Sequence, residues 1–324
     1  MPPKGATVKM AEWADWKTEF YVQRSLKKLG HKALLLGVED SLEWLQEQIQ
    51  KFKPDMVFNL LEEYQGEALF EAHIVSYLEL LGIPYTGCNP QGLSLGRDKA
   101  LSKKILKYHG IPAPQFFKAP IKGKYEIPED MKFPMIVKSL NEEASLGISQ
   151  KSVVNNHEKL KERINFIHNE IGTSAIVEEY IPGREFYVGV IGNKNLKVLP
   201  PWELSFGKLS SNGYGIATRN VKFNKKYCER HKIQRGLVKN LSRFTLRKIE
   251  NLSRGIYQAL HLSGYARLDF RLTDEGDVFF LEANPNAELA RKECLANAAQ
   301  HAGLDYDQLI AKIISLGQSY QMAA

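Results

Sequence analysis

Two hydrophobic periods share this chain. Residues 11–29 bring Trp13, Trp16, Phe20, Leu26 and Leu29 near one stripe, which predicts an amphipathic helix closed by Gly30. "KALLLGV" reads as a short buried strand, and "SLEWLQEQIQKF" as a helix opened by Ser41 as N-cap. After Pro54, "DMVFNLL" predicts another strand, "GEALFEAHIVSYLELLG" a long helix ending at Gly82, and "IPYTG" a strand edge. Strands alternating with helices imply an open parallel sheet covered by helices. Such a unit normally begins with a strand, whereas this chain opens almost directly into a helix. The expectation is an α/β domain that lacks its first strand.

Beyond this unit the pattern changes. "RDKALSKKILKYH", residues 97–109, is a basic amphipathic helix, and "GIPAPQFF" links it to a new unit. There, strands are expected near 115–118, 134–139 and 175–181, with a polar helix near 156–170. The remainder is richer in period-two segments: "REFYVGVIG", "LKVLPPWEL", "GYARLDFRL" and "DVFFLEAN". A helix near 243–262 intervenes, and helices near 293–316 close the chain. The expected division is 1–96, 97–182 and 183–324.

The 324 residues exceed one typical domain, and 44% hydrophobic with 25% charged residues is ordinary for a globular protein. No window reaches 18 consecutive apolar residues, and the N-terminus has no apolar core of signal-peptide length, so the cytoplasm is the expected location. Cys88, Cys228 and Cys294 are odd in number and far apart, which predicts reduced thiols rather than a disulfide or zinc framework. The net charge of +7 is uneven. Residues 219–248 hold eleven lysines and arginines against Glu229 alone, a net +10 that leaves −3 for the rest. That block fits either an anionic partner or a solvated helix face. Nucleic acid is disfavoured, because no aromatic-rich recognition module accompanies the charge.

Candidate chemistry gathers on the last two predicted strands. In "YARLDFRL", Arg267, Asp269 and Arg271 share one face; in "FLEAN", Glu282 and Asn284 do. The turn-rich "TDEGD" between them predicts a hairpin that brings Asp269, Glu282 and Asn284 together beside Arg267. Two carboxylates and an amide are hard oxygen ligands that suit Mg²⁺, which takes its remaining ligands from water and phosphate. Alone, the same pattern equally describes a solvated hairpin face. Upstream, Lys138 ends the apolar strand of "FPMIVKSLNEEASLGI", and the loop after it carries Ala144, Ser145 and Gly147. A lysine beside a small-residue loop can hold phosphates.

In this order, Lys99, "IVKS", the small-residue loop, "VEEYIPGREF", "ARLD" and "LEANPN" resemble the ATP-grasp superfamily, and within it the D-alanine–D-alanine ligases. "LELLGIPYTGCNPQGLSLGRDKALSKKIL" is similar to those ligases too. The resemblance runs from about residue 55 to the C-terminus. It implies an ATP-grasp fold, α/β and α+β, with ATP between two antiparallel sheets. It implies that Lys99 and Lys138 contact the nucleotide phosphates, that Glu178, Glu179 and Ile181 line the adenine pocket, and that Glu185 binds the ribose. Asp269, Glu282 and Asn284 would hold two Mg²⁺ ions, or Mn²⁺ in their place. Arg267, Lys138 and Ser145 would act in catalysis, and Arg219 or Lys222 would reach the transferring phosphate. The implied reaction is ATP-dependent amide formation between amino-acid or peptide substrates through an acyl phosphate, by a homodimer. The alternative is a nucleotide-binding descendant without catalysis.

The departures fall at the substrate end. Nothing before the first helix resembles the ligases' glycine-rich loop. Glu62 or Glu63 stands near their histidine, Ala144 replaces a serine, and "PNAELARKE" replaces their Pro-Gly segment. An altered substrate, either more cationic or differently shaped, is the expectation.

Overall fold

The computed structural model describes residues 1–12, 14–38, 41–141, 146–209 and 213–320. Trp13, Ala144 and Ser145 lie outside the described residues. Among those described, no helix is long and apolar enough to cross a membrane.

The N-terminal part is helical. Helix α1 (Val8–Ala11) lies ahead of the helix expected over 11–29, which forms as α2 (Lys17–Lys28); α2, α3 (Leu42–Phe52) and α4 (Glu71–Leu80) fall within the expected segments, with Ser41 capping α3 by accepting the Trp44 N–H. Among the described residues, the parallel sheet expected beside them is reduced to one bridge, Val57 to Tyr85, closed by Val57 N to Pro84 O and Thr86 N to Val57 O. Residues 31–38 form no strand. The physical reason is pairing: a strand persists only where a neighbour takes its N–H and C=O groups. Leu36 and Val38 instead pack against Leu45, Tyr64 and Ile74 as side chains only.

The helix expected over 97–109 forms from residue 99, and a further helix precedes it. Helix α5 (Pro90–Arg97) and α6 (Lys99–Tyr108) are separated by Asp98, which is extended and accepts the Ala100 and Leu101 N–H groups. This cap sets Lys99 as the first residue of α6, where it is buried.

Two antiparallel sheets follow. The first orders β1 (Phe116–Ala119), β4 (Ala175–Glu179), β2 (Met135–Ser139) and β3 (Val153–Val154). Met135, Val137, Ala175 and Val177 pack on Leu160 and Ile164 of α7 (His157–Phe166), leaving Ile136, Lys138 and Glu178 on the opposite face. The second sheet orders β10 (Val278–Pro285), β9 (Tyr265–Leu272), β5 (Arg184–Ile191), β7 (Trp202–Ser205) and β8 (Gln234–Leu237), with β6 (Lys197–Val198) also on β5. Its core face, including Phe186, Val188, Leu268, Phe270 and Phe280, packs on Ile249, Ile256 and Tyr257 of the helix Arg243–Ala259. Each such large side chain, fully buried, contributes about 1.5–3 kcal/mol.

One irregularity decides what the other face presents. The β9–β10 ladder pairs Phe280 with Phe270 and then Glu282 with Asp269, so Leu281 is the extra residue of a β-bulge. Strict alternation would have left Glu282 on the core face with Phe280. The bulge reverses the parity: Glu282 and Asn284 turn toward Asp269 and Arg267, while Ala283 and Pro285 take the core side.

Candidate active site

Ile136, Lys138, Ile148, Glu178, Glu179, Ile181, Glu185, Lys222, Asp269, Arg271 and Glu282 line one cleft between the two sheets. Both strand pairs expected to carry chemistry therefore open onto one space.

On the second sheet, Arg267 grips Asp269 with two hydrogen bonds, Nε to Oδ1 at 2.7 Å and Nη2 to Oδ2 at 2.8 Å. Burial pushes the Asp269 carboxyl up to about 6; Arg267 opposes the shift and the neighbouring Glu282 adds to it. Glu282 goes the other way, to about 2: burial would raise it, but Lys99, Lys222, Lys138 and Arg267 together outweigh burial. Four cationic groups thus bear on one carboxylate. The Asn284 Nδ2 is buried without a hydrogen-bond partner, so the amide is not placed there to satisfy its own nitrogen. Two opposed carboxylates and an amide oxygen fit a hard divalent cation. Among the described residues no three of His, Cys, Asp and Glu form a metal cluster, so a cation here would take its third protein oxygen from Asn284 and the rest from substrate and water.

On the first sheet, Glu178 is shared. Its Oε2 lies 2.8 Å from Lys138 Nζ and its Oε1 3.0 Å from Lys103 Nζ. Burial raises its pKa, yet the two ammonium groups outweigh that and hold it below the usual carboxylate range. Lys103 was not singled out in the sequence, although it lies one turn along the same helical face from Lys99. Glu185 is also committed: its Oε2 pairs with Arg271 at 2.7 Å, and its Oε1 accepts the Tyr187 hydroxyl at 2.9 Å. Lys222 lines the cleft from the helix Arg219–Phe223, where burial lowers its pKa. Arg219, on the same helix, is exposed and lines a separate outer cleft with Gln150, Asn224 and Tyr227.

Beyond Asn284 the chain is tied to the N-terminal helices. Asn286 has a left-handed backbone (φ 52°), accepts the Cys88 N–H at 2.7 Å and donates to Glu71 at 3.0 Å. A side chain at Gly87 would lie 2.2 Å from the Asn286 Oδ1. Glu288 accepts from Thr18 at 2.9 Å and sits 3.1 Å from Lys17 Nζ, which also holds Glu293 at 2.6 Å. The segment where the ligase resemblance thins is the one on which α2 docks. Glu62 and Glu63 are exposed.

The family model described as D-ala D-ala ligase C-terminus matches residues 99–315. An uncharacterised protein of Sinorhizobium fredii is 32% identical over 94% of this chain and 88% of its own length. The D-alanine–D-alanine ligase of Aquifex aeolicus is 31% identical, covering 92% of this chain and 94% of that protein. Among solved structures, the D-alanine–D-alanine ligase of Bacillus anthracis complexed with ATP superposes with a TM-score of 0.74 at 21% identity, over 93% of this chain and 91% of its own.

Proposed function

Since the chain belongs to the D-alanine–D-alanine ligase family, we propose that it is an ATP-dependent carboxylate–amine ligase acting on amino-acid or peptide substrates other than D-alanine alone. A substrate carboxylate oxygen attacks the γ-phosphorus of ATP, and the bond from that phosphorus to the ADP oxygen breaks. The products are an acyl phosphate and ADP. The amine nitrogen of the second substrate then attacks the acyl carbon, the carbon–oxygen bond to phosphate breaks, and the nitrogen sheds its proton to solvent. Positioning and charge neutralisation supply most of the rate in such transfers.

The observation that carries this reading is one inter-sheet cleft that Lys138, Lys222, Asp269 and Glu282 line together, with Lys99 and Arg267 adding their charge at Glu282. Lys99 and Lys138 suit phosphate oxygens. The Glu179 and Tyr180 N–H groups are committed to the Gln115 and Pro134 carbonyls, so adenine recognition here would use backbone carbonyls of the β4 end, with Ile181 as an apolar wall. Glu178, with both oxygens in ion pairs, orients Lys138 rather than touching the base. Glu185, held by Arg271 and Tyr187, is a ribose candidate with a fixed rotamer. Arg267 spends Nε and Nη2 on Asp269, which leaves its Nη1 side for charge developing on the transferring phosphoryl group. Mg²⁺ held by Asp269, Glu282 and Asn284, as two ions or with Mn²⁺ substituting, would neutralise phosphate charge when bound. The division 1–96, 97–182 and 183–324 matches these roles, and the resemblance supports a cytoplasmic homodimer.

An ADP-release screen of amino-acid and dipeptide pairs with ATP and Mg²⁺ tests the reading. Asp269→Asn and Glu282→Gln are each expected to lower substrate-dependent ADP release at least ~100-fold. Undiminished turnover in either variant removes it. ADP binding without release for any pair would favour the non-catalytic descendant instead.

A further inference from the structure

The nucleotide reading above leaves a fully buried lysine without a task. Lys103 is 1% exposed, does not line the cleft, and makes three contacts on two strands. Its Nζ pairs with Glu178 on β4, donates to the Leu281 carbonyl at the bulge of β10, and lies 5.4 Å from the Phe280 ring centroid. Burying an ammonium this deeply costs several kcal/mol unless it is fully partnered.

We infer that Lys103 is a positioning residue of the nucleotide site, which occupies one oxygen of Glu178 so that the carboxylate does not neutralise Lys138. Two ammonium groups share one carboxylate, a net +1. Of the two, only Lys138 lines the cleft, so the surplus charge is presented there. Without Lys103, Glu178 and Lys138 would close into a neutral pair, and phosphates would meet no net charge at this point. The bond to Leu281 also fixes the bulge that turns Glu282 into the site. The inference rests on the nucleotide reading of this cleft.

Calorimetric titration of the intact protein with ADP and Mg²⁺ tests it. Lys103→Met is expected to bind ADP about tenfold or more weakly. The double variant Lys103→Met, Glu178→Gln should recover to within about threefold of the parent, because Lys138 regains its full charge. Loss of the Leu281 contact alone would not give that rescue. Affinity of Lys103→Met within about twofold of the parent, or a double variant as weak as the single one, overturns the inference. If Lys103→Met does not fold, Lys103→Gln keeps a hydrogen-bonding group without the charge; the same tenfold loss is expected, and retained affinity overturns the inference. A parent protein that binds no ADP overturns the nucleotide reading and this inference with it.

Discussion

Arg271 and Glu185 stand opposite each other on β9 and β5, with side chains 5% and 6% exposed. The guanidinium also donates to the Gly215 carbonyl at 2.9 Å and lies 5.7 Å from the ring centroids of both Tyr180 and Phe206. A buried pair of this kind adds little net stability, but removing one partner strands the other. Arg271→Met is therefore expected to destabilise the protein by about 3–5 kcal/mol, measured by urea unfolding, with most of the loss restored in Arg271→Met, Glu185→Gln. The sequence shows Arg271 on the face of Asp269 through simple alternation. It does not show Glu185 as its partner, because β5 precedes β9 by some 80 residues and strand order is a tertiary fact. Lys103 was hidden for a similar reason: its partners come from two different sheets.

Helix α2 illustrates the same limit for elements. Its amphipathic stripe predicts a packed helix, yet nothing local says that it docks on the far end of the chain. There Asp307, at the start of the last helix (Tyr306–Ser319), accepts from Ser25 at 2.7 Å and pairs with Lys28. The hydrogen bond from Lys28 holds the Asp307 carboxyl below its ordinary value, with Ser25 adding to the effect and burial opposing it. A depressed folded pKa gives stability that is present above the unfolded value, about 3.9, and lost as pH falls through the folded value. Asp307→Asn should thus lower the unfolding free energy measured in urea at neutral pH, by no more than about 1 kcal/mol given solvent screening, and the gap to the parent should narrow below about pH 4. Most strands of the two antiparallel sheets were legible as apolar or period-two runs, but β3, two residues long, and β8, exposed within the basic block, were not. The N-terminal strands were not: apolar runs such as "KALLLGV" specify burial, but pairing decides whether burial becomes a strand. The hairpin was predicted with the right residues together, but simple period-two reasoning put Glu282 on the face of Phe280, and the bulge is what corrects it.

Across the whole molecule, the +10 block of residues 219–248 divides. Lys222 enters the cleft, Arg235 donates to the Val221 and Lys222 carbonyls, and most of the rest is exposed. Lys226 and Arg230 lie on the helix Lys225–His231 that directly follows the one delivering Lys222, so their field reaches an approaching polyanion before contact. Charge reversal of Lys226 and Arg230 to glutamate is expected to slow ADP association several-fold at low salt in stopped-flow measurements, leaving dissociation nearly unchanged. The difference should vanish near 1 M salt, where the screening length is about 3 Å.

The bulge at Leu281 makes one stretch of β10 sensitive to counting rather than to chemistry. Lys103 holds the carbonyl of residue 281, a group every amino acid supplies, so the identity of that residue is loosely constrained. Its presence is not. Losing it, or gaining a neighbour, would exchange the faces of residues 282–285, sending a carboxylate and an amide into the packed interior and offering an alanine and a proline to the phosphates. Descendants of this chain can drift at position 281 for as long as they keep the tally.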